Sequence, residues 1–257
     1  MIKAFVARMK QGHRTIRYPA GPPPELPDRF RGRPLFDAAV CPAGCRVCAE
    51  ACPTGALGRG EGFEVDLGRC LFCTDCANAC PAGAITYSRD YRLSVRERKD
   101  LVIVDRGEEL RLAAALGAEL RRLFGRSLKL RQVSAGGCNA CEADVNVLGT
   151  IGWDLGRFGI QMVASPRHAD GLLVTGPVTK NMELALKKTY DAVPGPKIVI
   201  AAGSCAISGG PYADHEETGN GVGALLPVDL FVPGCPPHPL TILDGLLRLV
   251  GAVGGRG

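Results

Sequence analysis

Little in this chain could stack on a nucleobase: aromatic residues make up 5% of its 257 residues, with a single tryptophan. A nucleic-acid binder is expected to interleave such rings with clustered basic residues or to carry a known module, and neither is present. The net charge of +5 is modest and marks no polyanion-binding surface, though acidic partner proteins and an anionic membrane surface are left open. No P-loop or dinucleotide fingerprint occurs, and Gly209-Gly210-Pro211 reads as a tight turn. An apolar run long enough to span a membrane is also missing. The first residues have neither the apolar centre and small-residue cleavage site of a secretory signal nor a twin arginine ahead of an apolar run. These absences predict a chain that stays in the cytoplasm, where thiols are kept reduced, and so argue against a disulfide framework.

Cysteine, by contrast, is abundant, with twelve residues. Eight fall in two near-copies: Cys41, Cys45, Cys48, Cys52-Pro53, then Cys70, Cys73, Cys76, Cys80-Pro81. A cuboidal 4Fe–4S cluster needs four thiolates. Three on one tight turn can hold three corners, because the intervening backbone wraps the cube and aims amides at its sulfurs, while the fourth comes from elsewhere. Structural zinc fits less well, since such sites usually set two cysteine pairs apart by a long spacer, and three closely spaced thiols crowd a tetrahedral ion. The copies differ once: three residues separate Cys41 from Cys45, where two separate Cys70 from Cys73. The run resembles that of bacterial two-cluster ferredoxins, in which the fourth cysteine of each copy ligates the other cluster. That resemblance assigns Cys41, Cys45, Cys48 and Cys80 to one cluster, and Cys52, Cys70, Cys73 and Cys76 to a second.

Around this run the chain is ordinary for a globular protein, 46% hydrophobic and 22% charged, and long enough for two domains. Ile2, Phe5, Val6 and Met9 recur at helical spacing among Lys3, Arg8, Lys10, Arg14 and Arg17, which predicts a basic amphipathic arm that meets lipid or, preferably, a neighbouring subunit. The proline-rich stretch 19–34 predicts an extended strap. Ala84 to Tyr87 predicts a strand, followed by an irregular charged segment to Arg106. A helix is expected over Glu108 to Phe124, with an apolar stripe of Leu112, Leu116, Leu120 and Leu123 and Gly125 as its stop. Beyond it, strands are expected at Leu128 to Val133, Ile160 to Val163, Leu172 to Val174, Ile198 to Ala202 and Leu230 to Val232. Helices are expected after Cys141, at Met182 to Tyr190 and at Leu240 to Val250. This alternation predicts a parallel sheet with helices on both faces and sites beyond its carboxyl-terminal edge. The remaining cysteines, Cys138, Cys141, Cys205 and Cys235, each follow a predicted strand and can converge there as a third 4Fe–4S site, leaving no cysteine over. The division is therefore an arm and strap (1–34), a two-cluster α+β domain (35–100) and a one-cluster α/β domain (101–257).

The segments Gly137-Cys138-Asn139-Ala140-Cys141, Val174 to Lys180, Gly203 to Gly210 and Val232 to Pro237 resemble the small subunit of nickel–iron hydrogenases and the related cluster subunit of respiratory complex I. Residues from Arg17 to Pro81 resemble the two-cluster ferredoxin subunit of the same assemblies. The chain thus resembles two neighbouring electron-transfer subunits fused, a flavodoxin-like α/β domain preceded by a bacterial-type ferredoxin domain. Two residues separate Cys138 from Cys141 as in hydrogenases, whereas the complex I subunit has adjacent cysteines, and the best match is the membrane-associated, energy-converting hydrogenases. The resemblance implies an electron relay from an upstream donor protein through three 4Fe–4S clusters to a nickel–iron large subunit. It further implies membrane-arm partners, a peripheral position on the cytoplasmic face of the membrane, and no catalytic acid, base or nucleophile in this chain. A complex I-like oxidoreductase without nickel and a free-standing polyferredoxin-like carrier are the alternatives.

Other polar residues carry weaker signals. Glu142 could tune the third cluster or relay protons, but an acid at a helix start is the simpler reading. His238, close to Cys235, could donate to a sulfur, though a lone histidine is more often structural. Lys180, His168, His215 and His13 are weaker still.

Overall fold

The computed structural model describes residues 2–12, 14–59, 63–104, 110–124 and 127–254. His13, Glu108 and Gly125 lie outside the described residues. The amino-terminal amphipathic pattern forms α1 (Ile2–Gln11), none of whose residues is buried. The strap follows without helix or strand up to Arg33. Arg89 donates to the carbonyls of Leu26, Pro27 and Asp28, and the Gly32 amide donates to Ser88 O.

The cysteine-rich part consists of β1 (Pro34–Phe36), α2 (Val47–Glu50), β2 (Leu57–Arg59), β3 (Phe63–Asp66), α3 (Asp75–Ala79) and β4 (Ile85–Tyr87). β5 (Val102–Val104) returns to it: β1 pairs antiparallel with β4, and β3 lies between β2 and β5, antiparallel to both. This is the α+β arrangement expected of a ferredoxin-type unit. β5 falls in the segment expected to be irregular, and its pairing partner β3 lies well back in the chain. A three-residue Val-Ile-Val run is too short for periodicity to signal.

The expected helix from Glu108 to Phe124 is mostly not one. Among the described residues of that stretch, only α4 (Ala118–Phe124) is helical. Residues 110–117 are in neither helix nor strand, with the Ala113 amide donating to Ser94 O and the Leu116 amide to Leu249 O. Long-range partners satisfy these amides, and Leu116 is buried beside α8 while Leu123 of the supposed stripe is exposed. Packing has overridden a helical period.

The rest alternates as expected: β6 (Leu128–Ser134), α5 (Ala140–Val147), β7 (Ile160–Met162), β8 (Gly171–Thr175), α6 (Lys180–Ala192), β9 (Ile198–Ala202), α7 (Ser204–Ser208), β10 (Leu230–Val232) and α8 (Pro239–Leu249). The strands form one parallel sheet in the order β10-β9-β8-β6-β7. With β6 as the first strand of this sheet, that is the doubly wound order of flavodoxin-like folds, whose switch point lies between β6 and β8. Strands buried on both faces are nearly all apolar. In β9, Ile198, Ile200 and Ala202 face one core with α5 and α8, whereas Val199 and Ala201 face the other with α6 and α7. That second core is continuous with Leu57, Phe63, Val65, Leu67 and Leu101 of the cysteine-rich part, which therefore covers one face of the sheet.

Candidate metal centres

The cysteine repeat also repeats in structure. After Cys52 and after Cys80 the chain turns in the same way, with Gly55 and Gly83 at φ +60° and +62°. The amides of Ala56 and Ala84 donate to Cys52 Sγ at 3.2 Å and Cys80 Sγ at 3.3 Å. The extra residue of the first copy is absorbed by the turn ahead of Cys45, whose amide donates to Pro42 O at 3.2 Å. Cys48 is buried in α2, Cys80 ends α3, and these two helices pack together.

Cys52 joins the second copy in space. With Cys70, Cys73 and Cys76 it lines a small cavity closed by Pro34, Leu57 and Tyr87. The Phe72 amide donates to Cys70 Sγ at 3.4 Å. Burial pushes the Cys70 thiol up to about 12 against that amide, and the neighbouring thiols of Cys76, Cys52 and Cys73 push the same way. Burial raises Cys76 as well.

The third set forms at the carboxyl-terminal edge of the parallel sheet. Cys138 lies in the loop after β6, Cys141 in the first turn of α5, Cys205 in α7 directly after β9, and Cys235 just beyond β10. Gly203, at φ +93°, makes this approach feasible: a Cβ there would sit 2.5 Å from Cys141 Sγ. Burial raises the Cys141 thiol strongly, and Cys205, Cys235, Glu142 and Cys138 add to the shift, as negative groups near it would. Cys205 is pushed up to about 11, by burial first and then by Cys235 and Cys138.

Two features that sequence reasoning missed join the second and third sets. Ser204 Oγ, next to Cys205, donates to Cys70 O at 2.7 Å, and Ser208 Oγ donates to Gly68 O at 2.9 Å. Cys73 is also close enough to Cys235 to raise its thiol, after burial and Cys138. Nothing local in the sequence signals this, because the partners are more than 130 residues apart.

The other candidates settle into structural contacts. Glu142 is buried and accepts from Thr175 Oγ1 at 2.6 Å; burial works to raise its carboxyl, but hydrogen bonds from Ser134 and Thr175 prevail and hold it below the usual carboxylate range. His238 caps α8, its Nδ1 accepting from the Leu240 amide, and burial lowers its imidazole. Lys180 pairs with Glu217, and His215 Nδ1 accepts from the Glu217 amide. His168 lies in a single 3₁₀ turn.

All-sulfur donor sets suit iron–sulfur chemistry. Crowded thiols that repel one another as thiolates gain by exchanging protons for a cationic iron core, and the amides aimed at sulfur offset the remaining negative charge. Among the described residues no group of three His, Cys, Asp or Glu side chains is tight enough for a single ion.

Comparison with known proteins agrees. The family described as NADH ubiquinone oxidoreductase, 20 Kd subunit, matches residues 138–249, and a 4Fe–4S binding domain matches 63–86. A probable membrane-bound hydrogenase subunit of Pyrococcus furiosus is 44% identical over 130 residues, which is 51% of this chain and 78% of that protein. The chain belongs to this family. Formate hydrogenlyase subunit 7 of Escherichia coli is 40% identical over 138 residues, 54% of each chain. An NADH-quinone oxidoreductase subunit of Bacteroides thetaiotaomicron is 43% identical over 112 residues, 43% of this chain and 57% of that one. The chain is an electron-transfer subunit of the membrane-bound hydrogenase and complex I-like family. It carries iron–sulfur clusters and belongs to an oxidoreductase complex. No helix among the described residues is long and apolar enough to cross a membrane.

Proposed function

We propose that this chain is the iron–sulfur relay of a membrane-associated nickel–iron hydrogenase complex. Cys41, Cys45, Cys48 and Cys80 hold one 4Fe–4S cluster, Cys52, Cys70, Cys73 and Cys76 a second, and Cys138, Cys141, Cys205 and Cys235 a third. The first two sets fall in residues 35–100 and the third in 101–257. When bound, the clusters supply one-electron transfer. The chain's own residues fix where the sulfurs lie and aim amides at Cys52, Cys70 and Cys80. The observation that carries this reading is the seat between the second and third sets, where Ser204 and Ser208 clamp the Gly68–Cys70 turn beside Cys205. An upstream donor, a nickel–iron large subunit at the third set and membrane-arm subunits complete the assembly, on the cytoplasmic face of the membrane.

The test is an anaerobic pull-down of the tagged chain with its partners, measuring nickel per complex and viologen-linked hydrogen evolution. Nickel near one per complex with hydrogen evolution is expected. A stable iron-containing complex with neither would shift the reading to a complex I-like oxidoreductase, which the likeness to the Bacteroides NADH-quinone oxidoreductase protein supports. The Cys138-to-Cys141 spacing favours the hydrogenase. Within the complex, Cys235→Ser is expected to remove the third cluster's EPR signal and the hydrogen activity while sparing the other two signals.

A further inference from the structure

Tyr87 belongs to neither cysteine run, yet its hydroxyl oxygen lies 3.3 Å from Cys76 Sγ. Its ring lines the cavity formed by Cys52, Cys70, Cys73 and Cys76. The β1–β4 pairing holds it there, setting Tyr87 opposite Pro34, which lines the same cavity. Chemistry decides which atom donates. A phenol with an ordinary pKa of about 10 keeps its proton at neutral pH, and a thiolate bound to iron has none to give. Thr54 Oγ1, 3.9 Å from Cys52 Sγ, does not duplicate this donor, because its proton is directed to Arg69 O at 2.8 Å.

A hydrogen bond to a ligand sulfur stabilises negative charge there and so favours the reduced state. We propose that Tyr87 is a tuning residue: its hydroxyl donates to Cys76 Sγ and holds the reduction potential of the cluster on Cys52, Cys70, Cys73 and Cys76 above the value that the backbone donors alone would give. The inference rests on the reading of those four cysteines as one ligand set. The amide donors are a property of the repeat, since Ala56 and Ala84 are twins. The phenol is not, because the position equivalent to Tyr87 in the first copy is Arg59. Tuning by a phenol thus belongs to the second copy, whose Gly68–Cys70 turn is clamped against the third set.

The test uses the full chain, purified anaerobically with its clusters and titrated electrochemically with EPR detection. Tyr87→Phe is expected to keep the iron content and to lower one midpoint potential, leaving the others in place. Replacing Tyr87 by 3-fluorotyrosine, a stronger donor of nearly the same shape, is expected to raise that same midpoint. If Tyr87→Phe does not fold, the fluorotyrosine chain decides alone. Midpoints unchanged with intact iron overturn the tuning role. A separate variant, Cys76→Ser, reports on the ligand set: if every cluster signal survives with unaltered line shape, the assignment beneath the proposal is wrong.

Discussion

Asp244 is a fully buried carboxylate in α8, held by two donors: Tyr18 Oη at 2.6 Å and Arg248 Nε at 2.7 Å. Arg157 donates to the carbonyls of Ile16 and Tyr18, so the start of the strap is pinned from both sides. Asp244→Ala leaves a partly buried guanidinium and a buried phenol uncompensated and is expected to cost about 3–5 kcal/mol, whereas Tyr18→Phe, which removes one hydrogen bond, should cost about 1–3 kcal/mol; urea midpoints check both. The thiols make a second prediction. Cys70 and Cys205 are pushed up to about 12 and about 11, mainly by burial, above the value of about 8.5 for an unfolded cysteine. In a chain stripped of iron, the folded state holds these protons to higher pH than the unfolded state does. Its stability should therefore be flat below about pH 8 and fall as pH rises towards those values, while the iron-loaded chain, whose thiolates carry no proton, lacks this loss. Urea midpoints before and after chelation, across that range, decide it. The cysteines were legible in the sequence by spacing alone. The Tyr18–Asp244 bond was not, because its partners are 226 residues apart and neither is unusual locally.

α7 shows what an element contributes beyond its own residues. Five residues long, it would be marginal alone, but it carries Cys205 and places Ser204 and Ser208, one turn apart, against the Cys70 turn. Ser204→Ala combined with Ser208→Ala is expected to cost about 1–3 kcal/mol for each carbonyl left without its donor. Amide exchange should quicken in residues 66–73 before it does so in β8 or β9; uniform protection would show that the serines do not clamp the turn. Strands of the parallel sheet were legible because burial on both faces writes them as apolar runs. The stretch 110–117 misled for the opposite reason. Its leucines have a helical period, but its amides bond to Ser94 and Leu249, which no local window contains.

At the scale of the whole molecule, one core runs from Phe63 and Val65 through Leu101 to Val133, Leu172 and Val199. Residues 1–100 and 101–257, expressed apart, should each expose half of that core and fail to fold cooperatively, and the intact chain should unfold in a single calorimetric transition. Two separated transitions would show the halves to be autonomous. By itself the sequence determined the strands of the parallel sheet with α5, α6 and α8, the α+β and α/β unit types and the grouping of the cysteines by spacing, because spacing and periodicity are local quantities; β5 and the non-helical course of 110–117 escaped it. Only the tertiary structure decided that Tyr87 reaches Cys76 and that Ser204 meets Cys70. Those contacts depend on how β4 lies against α3 and how α7 seats on the Cys70 turn, which is set by packing between elements and not by the pattern within any one of them.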